Sequence, residues 1–131
     1  MMPNRRAVAV VLIGGLVGPG LIGTALAHDS DVGPNGGPMI DLKGHHVELL
    51  QQNTDLVIVI SDAAHAPVAS KGSSGRAEIL EGSAQRTVPL SPQEPDRLTG
   101  KLDRPLASGA RIVVSAKLGS GKDLLARFVL K

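Results

Sequence analysis

The chain has 131 residues, with 14 Lys and Arg against 12 Asp and Glu, one aromatic residue and no cysteine. That length supports one small domain. The lack of cysteine excludes iron–sulfur clusters, thiolate zinc sites and thiol catalysis, and the small basic surplus with almost no aromatics argues against nucleic-acid binding.

Residues 1–27 begin with Arg5 and Arg6, continue through the apolar run AVAVVLIGGLVG and end in Ala25-Leu26-Ala27. A basic start, an apolar middle and a small-x-small end form a secretory signal peptide. The run is too short for a bilayer span, and Pro19-Gly20 breaks it. Cleavage after Ala27 removes two cations and no acid, leaving twelve charges of each sign on the mature chain. The mature protein is therefore expected to be periplasmic, with no nucleic-acid partner and no membrane patch once the leader is gone.

Residues 28–37 (HDSDVGPNGG) are rich in turn formers and read as a flexible lead-in. The domain proper is expected at 38–131. Residues 38–42 read as an edge strand, 45–51 (HHVELLQ) as a second, and 56–61 (LVIVIS) as the strongest, being β-branched and bounded by acids. A loop over 63–75 follows. Residues 76–80 and 86–90 suit a hairpin around Glu81-Gly82-Ser83, and 91–96, with two prolines, reads as a loop. Residues 97–102, 111–118 and 124–130 complete the set. In the last, Leu124, Ala126, Phe128 and Leu130 share one face. Seven to eight short strands with regular turn signals predict an all-β fold, a small antiparallel β-sandwich of the immunoglobulin-like kind.

Few motifs carry chemistry. Gly119-Ser120-Gly121-Lys122 lacks the glycine and hydroxyl of a phosphate-binding loop, since those positions are Ala116 and Asp123. No nucleophile elbow accompanies the serines and histidines, so an enzyme is not expected. The four histidines, His28, His45, His46 and His65, are the remaining lead, because imidazole binds copper and zinc. His45 and His46 point to opposite faces of a strand and make poor joint ligands. His46 shares a face with Glu48, either as a divalent-ion pair or as a surface contact. His65 sits in a loop after the central strand. Met39 offers a soft donor for Cu(I) or simply fills the core. Cleavage after Ala27 would give His28 a free amine beside its imidazole, and together they can chelate Cu(II).

The stretch H-D-S-D-V-G-P-N-G-G-P-M (28–39), followed by G-H-H-V-E-L (44–49), resembles a family of small exported bacterial proteins with a pattern near H-G-P-N-G-G … H-x-E-L. The same pattern occurs in the N-terminal region of periplasmic heavy-metal efflux adaptors. R-L-T-G-K (97–101), G-A-R-I-V-V-S (109–115) and A-R-F (126–128) extend the likeness. His28, Asn35, Gly36, Gly37, His46 and Glu48 match the pattern. One departure is that Asp62 is followed by Ala63 and Ala64, with the histidine only at His65. The resemblance implies export, a β-sandwich and metal handling. The expected function is binding of copper or another divalent transition metal, for buffering, resistance or efflux. The expected ligands are His28, His46, Glu48, His45 and His65. The alternative is an interaction module that docks on an envelope protein partner, such as an efflux adaptor, and binds no metal.

Overall fold

The computed structural model describes residues 31–131. Among them there is no helix, and so none long and apolar enough to cross a membrane. The expected signal peptide and His28 lie outside the described residues.

The all-β expectation holds, with nine strands. They are β1 (Asp31–Val32), β2 (Pro38–Leu42), β3 (His45–Gln52), β4 (Asp55–Asp62), β5 (Ser74–Glu81), β6 (Ala84–Gln93), β7 (Arg97–Lys101), β8 (Arg111–Lys117) and β9 (Asp123–Val129). They form one antiparallel sheet in the order β1-β2-β3-β4-β7-β6-β5-β8-β9. Most neighbours in sequence pair through short turns, the exceptions being β4 with β5 and β7 with β8, and Gly44, Asn53, Gly82 and Gly121 take the positive φ that four of these turns need. The sheet curls, so the inner residues of both halves pack into one cluster. Ile40, Val47, Leu49, Leu56, Ile58, Ile60 and Leu98 come from one half. Ala77, Ile79, Val88, Ile112, Val114, Ala126 and Phe128 come from the other. Period-two alternation explains the set, and Leu125 and Val129 on the opposite face of β9 are exposed as expected.

Three segments depart from expectation. Residues 31–37 are no flexible lead-in but a hairpin: Asp31 pairs with Met39 and Val32 with Pro38. The strand expected at the edge, 38–42, is thus flanked by β1 along Pro38 and Met39. Residues 91–93 are strand, not loop. β6 pairs with β5 through Leu90 and then with β7 from Ser91 onward. Each half of β6 has one unpaired side, so the missing N–H groups of Pro89 and Pro92 need not break a ladder.

The loop after β7 is fixed by charge. Arg86 on β6 donates to the Glu81 carboxylate at 3.2 Å, to the Asp103 carboxylate and to the Arg104 carbonyl at 3.2 Å. The Ala107 N–H donates to Glu81 at 2.8 Å. That backbone hydrogen bond, opposed by partial burial and reinforced by Arg86 and Arg104, holds the Glu81 carboxyl below its ordinary value of 4.5. At Asp103 desolvation works in the other direction, but the Arg86 hydrogen bond and charge outweigh it and also lower the pKa. Both carboxyls bind fewer protons folded than unfolded just below their ordinary values. Their contribution is complete above those values and is lost as pH falls through the depressed native ones. Thermal melts between about pH 5 and about pH 3 are expected to show a falling Tm, and Arg86→Met is expected to flatten that fall. An unchanged slope in the variant would remove Arg86 from this role.

Candidate metal site

The site lies on the outer face of β2–β4, where Met39 and Asp41 of β2, His46 and Glu48 of β3 and Val59 and Ser61 of β4 are in register. An outer face of a sheet is normally wet. Here Glu48 is 2% exposed, and His46, Val57 and Val59 are also buried. Two connections cover them: the turn at 33–37 and the loop at 62–67.

Glu48 holds the first. Its Oε2 accepts the Asn35 N–H at 3.0 Å and the Gly37 N–H at 2.9 Å, and its Oε1 accepts Asn35 Nδ2 at 2.9 Å. The turn is closed by Gly33 N–H to the Gly37 carbonyl at 2.7 Å and by Gly36 N–H to the Gly33 carbonyl at 3.0 Å, with Gly36 at φ 90°. The Asn-Gly-Gly motif and the Glu of H-x-E-L are thus two parts of one clasp. A carboxylate that accepts backbone N–H groups in this way is well satisfied. Both Glu48 oxygens are engaged in holding the turn, which argues against the expected role of Glu48 as a metal ligand. The surface-contact reading of the His46–Glu48 pair fails as well, since both side chains are covered.

Asp62 holds the second connection. Its Oδ1 accepts the Ala64 and Ala66 N–H groups, each at 2.9 Å, and its carbonyl accepts the His65 N–H at 2.9 Å. This turn puts His65 in the left-handed region, at φ 66°, a conformation that costs a non-glycine residue about 1–2 kcal/mol. The cost delivers a ring. His65 stacks on His46 with centroids 4.2 Å apart and planes within 8°. The histidine displaced along the loop therefore still reaches the strand histidine.

His46 Nδ1 is buried with no hydrogen-bond partner, and Asp41 Oδ1 lies 3.6 Å away. A buried imidazole nitrogen without a partner is a costly feature in a core and a useful one in a donor. His45 lies in register with Val47 and Leu49 on the inner face, so the structure does not bring it to the site. Among the described residues, no three His, Asp or Glu side chains converge as a ligand cluster. Of the five residues expected as ligands, the structure brings His46 and His65 together, engages Glu48 in the turn and places His45 on the inner face, while His28 lies outside the described residues.

The pair is not ready to share an ion as it stands. An ion bound end-on to imidazole lies near the ring plane, about 2.0–2.1 Å from nitrogen for zinc. Two near-parallel stacked planes do not meet close to their rings, so one ring must turn. His65 is exposed and can turn, while His46 is held by its surroundings. No family model, no curated protein and no solved structure matches the chain significantly.

Proposed function

We propose that this chain is an exported, non-catalytic binding protein for a transition-metal ion, with copper the best fit, serving to buffer or deliver the metal. The observation that supports the reading is the His46–His65 stack. Two imidazoles from separate elements meet, one buried with an unpartnered nitrogen and the other exposed on a strained, carboxylate-organised loop. Neither feature adds to the apolar core, and both suit nitrogen donation to copper or zinc. Cleavage after Ala27 would add the amine and imidazole of His28 as further nitrogen donors. Glu48 keeps the face covered and gives no ligand.

The test is a Cu(II) and Zn(II) titration of protein beginning at His28. His46→Ala and His65→Ala are each expected to weaken Cu(II) binding by about tenfold or more, a loss of about 1.4 kcal/mol or more. Copper affinity untouched by the double substitution would overturn the reading.

One observation favours the second reading, a module that docks on an envelope partner. Val32, 72% exposed, and Val129, 59% exposed, border a groove of about 410 Å³ together with Pro38 and Leu130. Exposed apolar surface of this kind suits a protein contact. A partner bound equally well with and without a metal chelator, and lost on Val129→Asp, would favour this reading over the first.

A further inference from the structure

Between the Pro34-Asn35 turn and the His65 loop lies a cavity of about 110 Å³, lined by Met39, Glu48, Val59, Ser61, His65 and Asp96 among others. Its donor atoms can be sorted by what they already do. The Glu48 oxygens hold the turn. Asp96 faces Arg97 Nε at 3.5 Å. The Ser61 hydroxyl is a hard, neutral oxygen. The Met39 thioether and the His65 imidazole remain, and His46 lies directly behind His65. Met39 is half-buried on β2, paired with Glu48 in the ladder and therefore fixed on this face.

Thioether sulfur is a poor ligand for Cu(II) and Zn(II) and a good one for Cu(I). Cu(I) also accepts two or three ligands, so it does not need a wider cluster. A thioether beside an imidazole favours a soft monovalent ion over a strongly hydrated divalent one. We propose that this cavity is a Cu(I) site, with the Met39 thioether and the His65 imidazole as its two ligands. The proposal rests on the reading that the histidine pair binds metal, and it adds a sulfur ligand and an oxidation state.

Met1 and Met2 precede His28, so Met39 is the only methionine in a protein that begins at His28. Its methyl group is then a single NMR probe. Ag(I) serves as a redox-stable stand-in for Cu(I). Adding Ag(I) to the methyl-labelled protein is expected to shift the Met39 methyl resonance with one-to-one saturation, whereas Zn(II) leaves it in place. In competition against a Cu(I) chelator, Met39→Leu is expected to weaken Cu(I) binding by about tenfold or more while changing Cu(II) affinity by less than about twofold. An unmoved methyl resonance, or equal Cu(I) affinity in the leucine variant, overturns the sulfur site. If the histidine variants still lose Cu(II), the broader reading stands without it. If no variant changes any affinity, both fall. The methyl experiment uses the unaltered side chains, so it decides the matter even if Met39→Leu folds poorly.

Discussion

Gly37→Ala is expected to destabilise the domain by about 3 kcal/mol or more, the upper end of what forced overpacking costs. A methyl group there would run into the Leu49 carbonyl and come within 2.7 Å of Leu50 Cδ2. The carbonyl belongs to β3 and cannot move aside like the end of a flexible side chain. The same residue donates its N–H to Glu48 at 2.9 Å, so any shift that relieves the clash weakens the clasp. Gly36 makes the control. Nothing lies within 4 Å of a methyl at that position, but its φ is +90°. Gly36→Ala therefore pays only for the left-handed backbone, about 1–2 kcal/mol. Thermal melts rank the two, at roughly 4–8 °C per kcal/mol for a domain of this size. A Gly37→Ala protein that melts above Gly36→Ala would show that the turn is not docked as described.

Glu48→Ala is expected to cost about 2–4 kcal/mol, because it leaves two backbone N–H groups and the Asn35 amide without their acceptor and opens space beneath the turn. Glu48→Gln should be far milder, at about 1 kcal/mol. Its amide oxygen can keep the two backbone donors, and its NH₂ can donate to Asn35 Oδ1 once that amide turns over. The loss is then mainly the charge assistance of the bonds. Chemical denaturation of the pair checks the order. An alanine variant as stable as wild type would mean that the clasp contributes nothing to holding the face closed.

Much of the fold is legible along the chain because inner and outer residues alternate. The β9 pattern, with Leu124, Ala126 and Phe128 inward, follows from period two alone. β6 is harder, since Pro89 and Pro92 suggest interruption. Only the change of partner from β5 to β7 shows why prolines are tolerated there. The site is legible in part. His46 and Glu48 share a face, as the strand period requires. The burial of Glu48 depends on a turn 11–13 residues upstream, and local spacing carries no trace of that contact. The signal was present in Asn35-Gly36-Gly37 itself, a stretch whose two glycines leave the backbone N–H groups open to an anion and whose asparagine can add a further donor. His65 reaches His46 through the turn that Asp62 organises, and a left-handed histidine is not foreseeable from composition.

The central claim is that the histidine pair binds the metal while Glu48 serves only the fold. A Cu(II) titration of three proteins beginning at His28 tests it most directly: wild type, Glu48→Gln, and the double variant His46→Asn with His65→Asn. The predicted result is a Glu48→Gln affinity within about twofold of wild type and a double variant weaker by about a hundredfold or more. A folded Glu48→Gln protein that no longer binds copper, beside a double variant that binds like wild type, would contradict it.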